Sequence, residues 1–123
     1  MKHGAKWMYV DTTGNDYYPT NGVGGVGTTS TGNTTAGARW CKVYGVLVMT
    51  ASGAGATTIT VETDNGADGA TAMTGLAIPI AQSQACPLYI PLGGEDGISI
   101  PGPVAAATSS SSTKFVLFYD KLM

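Results

Sequence analysis

Apolar and polar residues alternate with a period of two along several short segments of this chain. The clearest is residues 56–64, ATTITVETD, in which Ile59 and Val61 alternate with threonine and glutamate. That alternation is typical of an antiparallel strand with one buried face. Apolar residues at helical spacing are interrupted by glycine or proline in every window, so no helix is predicted. We expect about seven or eight strands separated by turns.

The longest strand is predicted at residues 39–50, RWCKVYGVLVMT. One face is expected to carry Cys41, Val43, Leu47 and Met49, and the other Trp40, Tyr44, Val46 and Val48. Both faces are largely apolar, which indicates that this strand is covered on both sides over part of its length. Gly45 interrupts the strand, and a glycine there marks either a bulge or a close backbone approach.

The remaining strands are predicted in the C-terminal half of the chain and near the N-terminus. They lie in residues 6–10, 75–83, 86–92, 97–101, 103–108 and 113–122. Pro79 and Pro91 place their segments at sheet edges or bulges, because proline has no N–H for the ladder. Strands at this spacing predict an all-β, two-sheet antiparallel sandwich over residues 39–123. The pattern does not separate a jelly roll from an immunoglobulin-like topology.

Composition and charge exclude several classes of partner. Only 11% of the residues are charged and the net charge is −2. The six basic residues are scattered along the chain, so the clustered lysine and arginine that phosphate binding needs are absent and nucleic acid is not an expected partner. No apolar run approaches the roughly 20 residues that span a bilayer, so we expect no membrane segment. The N-terminal sequence does not resemble a secretory signal.

The two cysteines, Cys41 and Cys86, both lie in strand-like segments. The favoured interpretation is two buried free thiols that act as small apolar side chains. A disulfide between them and a metal site are the alternatives, because two cysteines allow a single pairing and show no spacing signature.

Candidate catalytic motifs are weak throughout. DNGADG at 64–69 has a faint likeness to a calcium loop, but Asn-Gly and Asp-Gly also form hairpin turns without an ion. The adjacent acids of GGEDG at 93–97 are typical of a solvated loop, and GVGGVG at 22–27 lacks the lysine of a phosphate loop. We therefore predict no catalytic residue, no cofactor and no metal, and a protein that is not an enzyme.

Residues 11–38 contain no clear strand, and an irregular segment this long is uncommon in a compact domain. Its GVGGVGTTSTGNTTAG run at 22–37 has no charged residue. We interpret residues 1–38 as an extended arm, with a possible short strand at 6–10, that orders against partner subunits. A flexible surface loop is the alternative. The predicted partner-contact residues are Trp7, Tyr9, Tyr17, Tyr18, Val23 and Val26.

Residues 40–119 resemble the small all-β decoration, or cement, proteins of bacteriophage capsids. A long apolar strand (KVYGVLVMT) leads into a threonine-rich hairpin (TTITVETDNG), LAIPI and LYIPLGGEDGISIPG follow, and an aromatic strand (KFVLFYD) ends the pattern. The resemblance implies a jelly-roll-like sandwich that assembles as a homotrimer. It also implies a virion protein on the capsid exterior that clamps major capsid subunits.

Such a protein would be assembled in the bacterial cytoplasm, where thiols stay reduced. Other virion proteins share the pattern, so the alternative is a receptor- or glycan-binding module of a phage fibre or tail tip. In that function, exposed aromatic side chains such as Tyr17 and Tyr18 would stack on sugars.

Overall fold

The computed structural model describes residues 5–11, 13, 17–20, 24–29, 34–63 and 74–122. Within these ranges the chain forms nine β-strands and one short 3-10 helix at Gly94–Asp96, without an α-helix. The strands form two sheets that share one core. The predicted all-β two-sheet sandwich is therefore confirmed, while the jelly-roll topology stays a prediction.

The strands follow the turn signals of the sequence. Their bounds are β1 (Lys6–Val10), β2 (Gly24–Val26), β3 (Trp40–Thr50), β4 (Thr57–Thr63), β5 (Thr74–Ile80), β6 (Leu88–Pro91), β7 (Ile98–Pro101), β8 (Val104–Thr108) and β9 (Lys114–Lys121). Sheet A has the order β2-β1-β9-β3-β6, and β7 also pairs with β3. Sheet B has the order β5-β4-β8. β5 and β6 lie at sheet edges, as Pro79 and Pro91 predict.

Among the described strand pairs, β1 and β2 alone run parallel, whereas every pair within residues 39–123, where the antiparallel sandwich is predicted, is antiparallel. Parallel neighbours require a crossover connection rather than a tight hairpin. The long segment between Val10 and Gly24 supplies that connection.

The core lies between the two sheets and is built from their alternate positions. Its largest fully buried aliphatic and aromatic side chains include Met8, Val43, Val46, Val48, Ile59, Phe115, Leu117 and Tyr119. The burial predicted for Ile59 and Val61 in β4 and the alternation of the C-terminal strand are confirmed, whereas Glu62, expected on the outward side of β4, is buried. Each sheet thus buries one face against the other.

β3 changes its core-facing side at a bulge between Val43 and Gly45, where the ladder with β9 shifts register. Val43 is buried before the bulge, and Val46 and Val48 are buried after it, whereas Leu47 is half-buried. The predicted grouping of residues beyond Gly45 is wrong, because the extra residue of a bulge reverses the alternation. Of the two alternatives expected at Gly45, the structure has the bulge.

The described residues of the predicted arm, 1–38, lie on their own sandwich. β1 is an inner strand of sheet A. The Tyr17 N–H donates to the Ala106 carbonyl at 2.8 Å, and the Ala106 N–H donates back at 2.9 Å. This bridge ties the segment to β8, so the chain passes from sheet A to sheet B and closes one side of the sandwich.

Both cysteines are free thiols, with Cys41 buried and Cys86 half-buried. Leu88, two residues after Cys86, pairs with Val48, and Val48 lies seven residues beyond Cys41 on β3. At about 3.3 Å per residue the cysteines are roughly 20 Å apart, far beyond the ~7 Å limit between the Cα atoms of a disulfide. The disulfide alternative is therefore wrong, and the expectation of full burial holds for Cys41 only.

None of the described residues belongs to a helix with the length and apolar character needed to cross a membrane.

Candidate docking face

The outer face of sheet A carries two adjacent rows of side chains without a charge. The pairing register places Gly24, Trp7, Phe118, Gly45 and Pro91 side by side in one row, and Val26, Tyr9, Val116, Leu47 and Tyr89 in the next. We call these residues the aromatic face. An antiparallel sheet normally presents polar residues on its solvent side. The aromatic face departs from that rule across the whole width of the sheet.

Several of these side chains are open to solvent. Val26 is 57% exposed, Trp7 39% and Tyr89 38%, while Tyr9 and Leu47 are half-buried. The exposed large apolar residues of the described chain are Trp7, Val26, Trp40, Met49, Leu76, Tyr89 and Leu122. All of them except Leu76 lie on sheet A or directly after its last strand. A concentration of this kind on one face marks an interaction surface.

Two aromatic rings of the face lie over glycines. A Cβ added at Gly24 would overlap the Trp7 indole, and one added at Gly45 would overlap the hydroxyl and ring of Tyr89. Tyr89 also meets Phe118 edge to face, with 6.1 Å between ring centroids. Because glycine has no side chain, both rings can approach the backbone of the sheet closely.

Charged residues bound the aromatic face at both ends. At one end Lys42 pairs across the ladder with Asp120, and the Lys6 Nζ lies 3.2 Å from the Asp120 Oδ1. At the other end Asp11 follows β1 and Lys114 begins β9. Both ends combine an acid with a base, so neither carries a strong net charge. An apolar centre with a polar rim is the usual anatomy of a protein–protein interface.

The hydroxyls of Tyr89 and Tyr44 stay protonated at neutral pH. Burial raises the pKa of Tyr89 above its usual value of 10. The pKa of Tyr44 is also raised, first by burial and then by the nearby carboxylates of Asp120 and Asp96. Both phenols therefore act as neutral hydrogen-bonding groups.

Three of the predicted contact residues, Trp7, Tyr9 and Val26, lie together on the aromatic face. Sequence reasoning missed the part of the face contributed by β3, β6 and β9. Val116 and Phe118 were detectable as the apolar residues on the non-core side of the C-terminal strand. The proximity of Tyr89 was not detectable, because it depends on the pairing of β6 with β3.

The other three predicted contact residues lie elsewhere. Tyr17 is half-buried against the core, and Tyr18 is fully buried within its own chain. Tyr18 is therefore inaccessible to a partner in this fold, because the Tyr18–Thr28 bridge draws it into the sandwich. Val23 lies outside the described residues.

The candidate chemical motifs contribute no further site geometry. No pocket opens among the described residues, and no group of three potential metal ligands converges there. The DNGADG turn at 64–69 lies outside the described residues, and the acidic GGEDG segment contains the short 3-10 helix.

No protein-family model, curated protein or solved structure matches this chain. Among the surfaces of the described residues, the aromatic face is the most distinctive.

Proposed function

We propose that this protein is a structural virion protein of a bacteriophage. It binds the outer surface of the capsid as a homotrimer and stabilises contacts between major capsid subunits. It is assembled in the host bacterial cytoplasm, and it requires neither nucleic acid nor a membrane for its function. The observation that carries the proposal is the uncharged, exposed aromatic face on a small β-sandwich.

The size of the aromatic face supports binding to a repetitive lattice. Four interstrand spacings and two rows of side chains give a patch of roughly 300 Å². A stable interface between two isolated proteins buries about 800 Å² on each partner. A single face would therefore bind weakly, whereas a trimer would present several faces at once and gain from effective concentration. A capsid offers the matching array of identical sites.

Two further features support the same function. The two-sheet sandwich agrees with the fold that the resemblance to capsid decoration proteins implies. The free thiols of Cys41 and Cys86 suit a protein made in a reducing compartment.

The proposal is tested by mixing the purified protein with phage capsids that lack it and sedimenting the mixture. We expect saturable co-sedimentation and a higher temperature of capsid disruption. A protein that stays in the supernatant at micromolar concentration and leaves capsid heat stability unchanged would refute the capsid function.

A receptor- or glycan-binding module is the second candidate. The Trp7 indole lies over Gly24 and the residue is 39% exposed, so part of the ring is open to stacking against a sugar ring. In this case the isolated protein is retained on a glycan array, and replacement of Trp7 by alanine abolishes retention. Glycan retention without capsid binding would favour this second function.

A further inference from the structure

We infer that the open edge of β5 pairs with the same edge of a second copy of this chain, so that two copies of sheet B join into one antiparallel sheet. β5 (Thr74–Ile80) is the outermost strand of sheet B. This pairing goes beyond the proposed capsid function and does not depend on it. Three features of the structure support it: the direction of the backbone groups of β5, the protection of the other sheet edges, and the fit of the strand to its own copy.

The hydrogen bonds of Thr58 in β4 show which backbone groups of β5 remain open. The Thr58 carbonyl accepts the Ser109 N–H at 3.0 Å, and the Thr58 N–H donates to the Ser109 Oγ at 2.8 Å. Thr58 therefore directs its backbone groups to the β8 side of β4. Successive residues of a strand direct these groups to alternate sides, so Ile59 and Val61 face β5.

The same alternation continues across the ladder between β4 and β5. Leu76 and Ile78 are the partners of Val61 and Ile59 in that ladder, so their backbone groups bond to β4. The backbone groups of the alternate residues point to the open edge instead; these residues are Gly75, Ala77 and Pro79. All three are exposed, and the described residues make no hydrogen bond to their backbone groups on that side. The edge thus offers the N–H groups of Gly75 and Ala77 and the carbonyls of all three residues, because proline has no N–H.

The other sheet edges are protected against an additional strand. In β8, the Ala106 N–H and carbonyl already exchange hydrogen bonds with Tyr17. β2 has three residues, and the Thr20 hydroxyl donates to its Val26 carbonyl. β6 and β7 have four residues each, and both end in proline. Short length, proline and bonded backbone groups all deprive an incoming strand of partners.

β5 lacks most of these protections. It has seven residues without a charge, and its pairing with β4 runs without a register shift. Pro79, near the end of the strand, is its one protective residue. Exposed strand edges pair with other strands unless charge, proline, a bulge or short length prevents it. Among the described edges, that of β5 is therefore the best suited to bind an extended polypeptide.

A second copy of β5 matches this edge when the two strands run antiparallel about Leu76. Gly75 of each copy then exchanges hydrogen bonds with Ala77 of the other, so that every open N–H of the two residues finds a carbonyl. The two Leu76 side chains become a non-hydrogen-bonded pair, in which side chains lie closest together. Leu76 is 37% exposed and is the exposed large apolar residue of the described part of sheet B. The pairing buries it against its own copy.

The symmetry of this contact favours a second copy over a different polypeptide. Because the same residues lie on both sides of the twofold axis, a single contact covers the open edges of both chains and leaves none for a third. The contact is small and therefore weak. A strip one strand wide is much smaller than the roughly 800 Å² that each partner buries in a stable interface, so we expect a dissociation constant of about 0.1–1 mM. Twofold pairing joins copies in twos, so the contacts of the proposed homotrimer would lie elsewhere on the chain.

Amide hydrogen exchange of the full-length protein, followed by NMR, tests the pairing directly. Two samples are compared, at about 0.02 mM and about 1 mM, on either side of the expected dissociation constant. The Gly75 and Ala77 amides should exchange as open groups in the dilute sample and several-fold more slowly in the concentrated one. The Leu76 and Ile78 amides bond to β4 and should exchange equally slowly in both. Sedimentation velocity should show a larger species in the concentrated sample only.

Charges at Leu76 test the register of the two strands. Leu76→Lys and Leu76→Glu each place like charges opposite one another, so each variant alone should lose the concentration dependence. An equimolar mixture of the two should regain it, because lysine then faces glutamate. Ala77→Pro removes an open N–H without touching the ladder to β4 and should also weaken the pairing. Val26→Lys is the matched control, because it charges an exposed apolar position on sheet A. It should pair normally, and thermal melting confirms that each variant folds.

Three results would overturn the inference. Equal exchange of the Gly75 and Ala77 amides in both samples, without a larger species, would show that the edge stays open. Association that Val26→Lys abolishes and Leu76→Lys leaves intact would place the contact between copies on the aromatic face. A mixture of the lysine and glutamate variants that stays unassociated would exclude pairing about Leu76. Capsid binding is measured separately, so none of these results changes the standing of the proposed function.

Discussion

The Tyr89 hydroxyl lies over Gly45 and donates a hydrogen bond to the Tyr44 carbonyl, 3.3 Å away. The same carbonyl accepts the Leu92 N–H at 2.9 Å. Tyr44 lies in the bulge of β3, where the ladder with β9 shifts register. One aromatic side chain therefore covers a glycine, donates a second hydrogen bond to a carbonyl of the bulge and forms part of the aromatic face.

Replacement of Gly45 by alanine tests this arrangement. The new Cβ would overlap the ring and hydroxyl of Tyr89, so the ring must lift from the sheet and its hydrogen bond must break. We expect the free energy of unfolding to fall by about 1–3 kcal/mol in urea denaturation. Gly55→Ala is the control, because nothing lies within 4 Å of a Cβ added there. Equal stability of both variants would mean that Tyr89 does not occupy this position.

The bulge also shows where sequence reasoning succeeds and where it fails. Period-two alternation located β4 and β9 and their buried sides, because both strands are regular. In β3 a bulge was one of the two alternatives that Gly45 indicated. The pattern could not show that Val46 and Val48 would face the core after that bulge. The three-residue strand β2, GGV, has no strand signal of its own, and its pairing with β1 defines it.

The candidate site was predictable only where local sequence determined it. Trp7 and Tyr9 alternate with buried Met8 and Val10, so their outward position follows from the strand itself. β1 and β6 contribute to the same face because of the strand order β1-β9-β3-β6. That order is determined by pairing between strands that are distant in the sequence. Tyr18 was misplaced because an aromatic residue in an irregular segment gives no indication of whether it enters the core.

The buried hydroxyl of Thr113 connects three parts of the chain at one end of the sandwich. It accepts the Ser52 N–H at 3.3 Å and shares a hydrogen bond of 2.8 Å with the Thr57 hydroxyl. Thr113→Val would leave the Ser52 N–H and the Thr57 hydroxyl without this hydrogen-bond partner. We therefore expect a loss of about 1–3 kcal/mol in the free energy of unfolding. Thr113→Ser keeps the hydroxyl and should retain more of that stability. If valine and serine cost the same, the hydrogen bonds contribute nothing measurable.

Thr63 presents the opposite situation. Its side chain is buried, and its Oγ1 has no hydrogen-bond partner in the part of the chain that the structure describes. Thr63→Val keeps the shape and removes a polar atom that is costly to bury, so we expect stability to rise by about 1 kcal/mol. Thr60→Val, on the half-buried opposite side of β4, should change stability less. A lower denaturation midpoint for Thr63→Val would contradict the prediction.

The Cys41 thiol is expected to lower the free energy of unfolding at alkaline pH. Burial raises its pKa from 9.0 to about 11, because the thiolate would lose its hydration. The folded state thus holds the proton more tightly than the unfolded state. The stabilisation of the fold by the protonated thiol is therefore complete below about pH 9 and is lost as the pH rises through 11. Urea denaturation between pH 7 and pH 11 should show this decline, with a further loss above pH 10 from Tyr119, whose pKa burial also raises.

Cys41→Ala isolates the contribution of the thiol. This variant is expected to be less stable at pH 7, since it loses buried volume, but its stability should fall less steeply between pH 9 and pH 11. An equally steep decline in the alanine variant would assign the pH dependence to other groups.

Trp7 and Trp40 provide two fluorescent reporters on the same sheet. They are 39% and 42% exposed, so acrylamide should quench both to a similar extent in the free protein. Trp7 lies in the aromatic face, whereas Trp40 lies beyond the charged pair of Lys42 and Asp120. On addition of capsids to the single-tryptophan variants Trp40→Phe and Trp7→Phe, we expect quenching of Trp7 to fall severalfold and quenching of Trp40 to change little. Protection of Trp40 with Trp7 still open to acrylamide would place the capsid contact at the other end of sheet A.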